Sequence, residues 1–168
     1  MIRLLYLLDA NVLIDANRDY YPIERVPEFW EWLENAGKNG NAAIPLEVYE
    51  EVSDGSDALA SWAKRDSIKS VLLFQEEVDV SLVSRVIHHG YASDLTDDEV
   101  ETIGRDPFLI AYALKDAGGR RVVTTEVSKP KRRRANRHLP DVCRDLGVEC
   151  YDTFKFVRAL NFSTRWNA

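Results

Sequence analysis

The sequence predicts an α/β domain whose mainly parallel central sheet is flanked by helices. Short apolar runs alternate with stretches of helical periodicity along the whole chain, the order that builds a parallel sheet covered on both faces. Two of the apolar runs stop abruptly at an acid: Asp9 after LLYLL, and Glu126 after RVVTT. In an open α/β sheet, ligands sit just outside the carboxyl ends of the strands, so both acids fall where chemistry is expected. The 168 residues, 45% hydrophobic and 30% charged, suit one domain over residues 1–168 with a full core.

Taken in order, Tyr6 to Leu8 ends the first strand and Asn11 to Asn17 reads as a short helix. Arg18 to Pro27 reads as a loop with two tyrosines. Pro27 to Gly37 is a helix with Phe29, Trp30 and Leu33 at apolar spacing, stopped by Gly37 and Gly40. Trp32 lies two positions from Trp30, so the two are not expected on one buried face, and Trp32 is offered as part of a dimer or partner surface. Ala42 to Ile44 is a short strand, and Pro45 opens a helix through Val52. A Ser-Asp-Gly-Ser turn leads to a helix over Asp57 to Lys64, and Val71 to Phe74 reads as strand.

Val78, Leu82, Val83, Val86 and Ile87 have helical spacing. Thr96 and Glu99 form a capping-box pattern, in which each side chain satisfies a backbone donor of the other residue. Asp106-Pro107 opens a helix to about Ala117, apolar nearly all round and therefore buried. Arg121 to Thr125 is a strand, Leu139 to Leu146 a helix ended by Gly147, Val148 to Tyr151 the last strand and Thr153 to Leu160 the last helix.

Each acid has an ordinary explanation. Asp9 is as good a helix cap as a catalyst. Asp106 before Pro107 is a common helix start. Glu51 shares its helix with Glu47 and Glu50, which compete for any role. Asp141 after Pro140 suits the positive end of a helix. Two strand-end acids and several helix acids in one parallel α/β domain are more telling together. Such a set repels itself unless a hard cation such as Mg²⁺ or Mn²⁺ neutralises it.

The charge is uneven. The chain carries a formal net charge of −6, but Gly118 to Arg144 holds nine Lys/Arg against only Glu126 and Asp141. A basic block in an acidic chain points to a local contact with an anionic partner, against the simpler reading of a solvated loop. Cys143 and Cys150 are too few for a disulfide framework. With His88, His89 and His138 they make no zinc-type spacing. No apolar run approaches the roughly 20 residues of a membrane span, and the start MIRLL lacks a signal-peptide layout, so no membrane and a cytoplasmic location are expected.

The segments LLYLLDANVLIDA, IPLEVYEEV, RDPFLIAYAL and VVTTE, in this order, resemble the four acidic motifs of PIN-domain nucleases, in particular the VapC-like toxin ribonucleases. With the later segment LPDVCRDLGVECY, the layout is similar to the DUF4411 branch of PIN proteins. The resemblance implies a three-layer PIN-like fold and an Mg²⁺- or Mn²⁺-dependent endoribonuclease acting as the toxin of a toxin–antitoxin pair. It maps Asp9, Glu51, Asp106 and Glu126 onto the catalytic, metal-binding acids, with Asp141 as the alternate fourth. Asn11 and Thr124 would orient the carboxylates. Lys129, Lys131, Arg132, Arg133, Arg134 and Arg137 would hold RNA phosphates beside the site. Expected partners are RNA, a cognate antitoxin and a second copy of the chain. The alternatives are a DNA or structure-specific nuclease of the same class and a non-catalytic scaffold binding RNA or protein. An aspartyl-nucleophile phosphohydrolase would place an acid two residues after Asp9, where this chain has Asn11.

Overall fold

A computed structural model describes residues 3–168. Four short strands, β1 (Leu5–Leu8), β2 (Ala42–Ala43), β3 (Arg120–Val123) and β4 (Cys150–Tyr151), form one sheet in the order β2-β1-β3-β4. Every pairing is parallel, with Leu7 opposite both Ala43 and Val122. Between the strands lie α1 (Ala10–Asp15), α2 (Pro27–Lys38), α3 (Leu46–Ser53), α4 (Ala58–Ala63), α5 (Asp66–Leu72), α6 (Val80–Arg85), α7 (Asp97–Ile103) and α8 (Asp106–Leu114); α9 (Leu139–Leu146) precedes β4 and α10 (Thr153–Ala159) follows it.

Strand residues alternate between two cores, as the period of two requires. Tyr6, Leu8 and Val123 face α1, α2, α4, α5 and α10, while Leu7 and Val122 face α6, α8 and α9. The result is the expected α/β architecture, helices on both faces of a wholly parallel sheet. No helix among the described residues is long and apolar enough to cross a membrane.

Several local expectations need correcting. Val71 to Phe74 is not a strand: α5 runs through Leu72, and all that follows is one parallel bridge between Leu73 and Ile44. The loop expected from Arg18 begins as helix, because α1 continues into a π-helical turn over Ala16–Tyr20. The helix from Asp106 ends at Leu114, short of Ala117. Trp32 is not a surface residue. It is 4% exposed, Trp30 is 2% exposed, and α2 is buried on more than one side. Trp30 packs on Trp62, whereas Trp32 packs on Phe156 and Phe162, brought in by the C-terminal segment.

The capping box at α7 is formed, with Thr96 and Glu99 each accepting the other's backbone N–H. A second π-helical turn, Val86–Tyr91, follows α6 and packs on α9. A Cβ at Gly90 in this turn would stand 2.7 Å from Val142 Cγ1, so the absence of a side chain allows the close approach.

Candidate active site

The carboxyl ends of β1 and β3 set two of the acids side by side. The Asp9 N–H donates to the Val123 carbonyl at 2.9 Å, which extends the strand register by one residue and puts Asp9 beside Thr124. Thr124 is buried, and its hydroxyl donates to Asp9 Oδ2 at 2.8 Å. That hydroxyl in turn accepts the Glu126 N–H at 3.1 Å, so one threonine fixes both acids. Asp9 holds the N-cap position of α1, yet its side chain makes no capping hydrogen bond.

Asp106 opens α8, whose surface is apolar nearly all round, and lies in the same electrostatic neighbourhood. Loss of solvent is the main reason its carboxyl is pushed up to about 8, with repulsion from Asp9, Glu126 and Glu51 added. Burial likewise pushes Asp9 up to about 6. The Thr124 hydrogen bond and the nearby Ala10 N–H work against this, and the charges of Glu126 and Glu51 reinforce it. Among the described residues none of these four acids has a basic partner within ion-pair distance.

The competition on α3 resolves by partner. Glu47 accepts the Tyr112 hydroxyl at 3.2 Å, and Glu50 accepts Arg105 Nη1 at 3.0 Å. Glu51 is left exposed and unpaired among the described residues. It lines a cleft of about 620 Å³ together with Asp106, Asp54, Thr102 and Arg105. Arg105 also donates to the Glu47 carbonyl at 2.8 Å, tying α3 to the start of α8. Sequence reasoning misses this arginine, although a base directly before Asp106 was the available signal.

Glu126 and Asp141, the two candidates for the fourth acid, separate clearly. Glu126 acts electrostatically on both Asp9 and Asp106, and its Oε2 accepts the Leu139 N–H at 2.8 Å at the start of α9. Asp141 is 1% exposed and engaged elsewhere, accepting the Ser128 hydroxyl and, at 2.7 Å, the Lys129 N–H. Asn11 stands exposed on α1 with no hydrogen bond to a carboxylate among the described residues.

The six expected nucleic-acid contacts divide in two. Lys129, Lys131, Arg132 and Arg133 are exposed and free of ion pairs among the described residues. Arg134 instead grips Glu99, Nε to Oε1 at 2.7 Å and Nη2 to Oε2 at 2.9 Å, and reaches Asp94 at 2.8 Å. Arg137 binds the Gly90 carbonyl and Asp145. These last two arginines tie the loop to Asp94, Glu99, Gly90 and Asp145. Tyr91 packs in the core and buries a hydroxyl that has no hydrogen-bond partner among the described residues; burial and then Asp106 push its pKa up.

The donor set fits a hard divalent cation. It offers carboxylate oxygens only. Burial raises the proton affinity of both Asp9 and the half-buried Asp106; the charge of Asp9 adds to the effect on Asp106, and the charges of Glu126 and Glu51 add to both. Among the described residues, no three His, Cys, Asp or Glu side chains are already drawn together closely enough to hold an ion. Residues 6–164 match the DUF4411 family, described as a domain of unknown function, and the chain belongs to that family. No significant match was found among curated proteins or among solved structures.

Proposed function

We propose that the protein is an Mg²⁺- or Mn²⁺-dependent endoribonuclease of the PIN, VapC-like kind, acting as the toxin of a toxin–antitoxin pair. One observation carries the reading. Asp9 and Asp106, withdrawn from solvent and without a basic partner among the described residues, are pushed up to about 6 and about 8, with Glu51 and Glu126 as further negative neighbours. An unneutralised carboxylate set at the carboxyl end of a parallel sheet suits cation-dependent chemistry better than a structural role. The resemblance of the four acidic segments to PIN motifs supports the choice of nuclease and of toxin.

In this reading Asp9 and Asp106 would hold the ion, with Glu51 and Glu126 as further ligands. Once bound, it would supply Lewis acidity toward water and the phosphate oxygens. Thr124 keeps Asp9 and Glu126 in fixed orientation by donating to one and accepting from the other. The open, polar cleft beside Asp106 and Glu51 admits the substrate backbone. Lys129, Lys131, Arg132 and Arg133 hold flanking phosphates, contacts that carry affinity without sequence information.

Among the described residues no three acids are already gathered around one point, and this favours a second reading, a non-catalytic scaffold. Titrating Mn²⁺ into the protein by calorimetry and incubating it with RNA and with single-stranded and flap DNA, with and without EDTA, separates the two. The nuclease reading expects saturable Mn²⁺ binding and EDTA-sensitive RNA cleavage, both lost in Asp9→Asn. No binding at millimolar Mn²⁺ favours the scaffold, and cleavage of DNA alone overturns the choice of RNA.

A further inference from the structure

Asp141 is the most buried carboxylate of the described residues, and the proposed chemistry leaves it unused. Its surroundings explain it. Four consecutive residues after β3 are each tied to the start of α9. Glu126 Oε2 accepts the Leu139 N–H at 2.8 Å, and the Val127 carbonyl accepts from His138 Nδ1 at 2.7 Å. The Ser128 hydroxyl donates to Asp141 Oδ1, and the Lys129 N–H donates to Asp141 Oδ2 at 2.7 Å. A loop acid thus caps the helix while a helix acid caps the loop. Since the Val127 carbonyl can only accept, the His138 tautomer with its proton on Nδ1 is the one that completes the set.

The reciprocal cap has an upstream and a downstream end. Upstream, Glu126 continues through its own N–H to Thr124 and through the Thr124 hydroxyl to Asp9. Downstream, the chain leaves Lys129 through Lys131, Arg132 and Arg133 and is pinned again where Arg134 meets Glu99. We propose that Asp141 is a positioning residue: by holding Ser128 and Lys129 it fixes Glu126 against Asp9 and Asp106 and sets where the four exposed cations leave the fold. The proposal rests on the metal-dependent nuclease reading for its catalytic consequence and on the hydrogen bonds alone for its structural one.

The two parts are tested on the full chain with Asp141→Ala, Asp141→Asn and Ser128→Ala. Amide hydrogen exchange at Leu139 reads whether Glu126 still caps α9, since exchange reports local opening. Mn²⁺ titration reads the acid set, and kcat and KM on RNA read the consequence. Asp141→Ala is expected to speed exchange at Leu139 and weaken Mn²⁺ about tenfold, the usual cost of losing a residue that orients a metal ligand. The amide oxygen introduced by Asp141→Asn can still accept from the Lys129 N–H, so that variant is expected to restore most of both. Ser128→Ala, at an exposed loop position, lies between them and serves if Asp141→Ala does not fold. Unchanged Leu139 exchange and Mn²⁺ affinity in a folded Asp141→Ala or in Ser128→Ala overturns the proposal. A wild-type chain that neither binds Mn²⁺ nor cuts RNA overturns the nuclease reading, while Leu139 exchange still decides whether Asp141 positions Glu126.

Discussion

Asp9 and Asp141 are both buried aspartates at the start of a helix, and the fold treats them in opposite ways. Asp141 is the more enclosed, 1% exposed against 7%, yet its carboxyl lies below the ordinary range while that of Asp9 is pushed up to about 6. Burial is the largest single influence on Asp141 too and acts upward. The Ser128 hydroxyl, the Lys129 N–H and the charges of Arg144 and Arg137 together outweigh it. Asp9 has the Thr124 hydroxyl and the nearby Ala10 N–H on its side and carboxylates opposite. Low surface exposure alone therefore does not decide the state of a carboxylate; the thickness of protein over it and the donors and charges around it do. A satisfied acid holds structure together, and an unsatisfied one is available to a ligand.

The largest effect that sharpens this contrast is expected from Asp106→Asn, set against Asp141→Ala. If Asp106 is a ligand of the proposed ion, its loss should lower ion-dependent RNA cleavage by about 1,000-fold, since such an ion would supply several kcal/mol of stabilisation. The same substitution should raise the stability of the ion-free protein at neutral pH by about 1 kcal/mol, because it removes a carboxyl that must take up a proton to stay withdrawn from solvent. Asp141→Ala should lower stability by about 1–3 kcal/mol, because it strands two donors. Urea unfolding in EDTA measures both, and an Asp106→Asn chain less stable than wild type would break the contrast.

The pH response comes next. Asp9 and Asp106 titrate near 6 and 8 in the folded chain against 3.8 for an ordinary aspartate, so the folded state keeps protons that the unfolded state has released. The stability this linkage gives is fully present below about pH 4 and is lost as pH rises through about 6 and 8. Asp141 works the other way, its contribution present above about pH 4 and lost on acidification. In EDTA the melting temperature should fall between about pH 5 and pH 8, and Mg²⁺ should recover most of the loss at the upper end. A flat profile in EDTA would remove the case for an unneutralised acid set.

The smallest effect separates the two kinds of arginine in the basic loop. Arg132→Gln with Arg133→Gln should weaken RNA binding about tenfold at low salt and reduce the salt slope by about 2. Arg134→Gln should destabilise the fold through Glu99 and Asp94 and leave the slope unchanged. Filter binding across a salt series reads both, and equal slopes for the two variants would show that the exposed pair touches no phosphate.

The parallel sheet and the acid positions were legible in the sequence because both rest on local pattern. A strand that runs into Asp9 announces itself by the change from apolar to charged within one residue, and Glu126 follows the apolar end of β3 by two threonines. Long-range pairing is not written locally. Arg134 looks like Arg133 in the sequence, and only folding brings Glu99, 35 residues earlier, to its guanidinium. Asp141 reads as an alternate ligand for the same reason, since Ser128 and Lys129 reach it from 13 and 12 residues away. Val71 to Phe74 misleads differently. Its apolar run suits either period, and the start of α5 at Asp66 decides for helix. Trp32 misleads because a helix can be covered on two sides, here by a C-terminal segment that helical periodicity does not foresee.

Gly90 sets a boundary on sequence drift in this chain. Any side chain there would collide with Val142 on α9, and the carbonyl of Gly90 already receives Arg137. Because α9 also carries Leu139 and Asp141, an alanine at position 90 would be felt first in the loop that holds Glu126. A chain that loses this glycine must rebuild the α9 contact, so a position that bears no chemistry of its own still constrains the loop that holds Glu126.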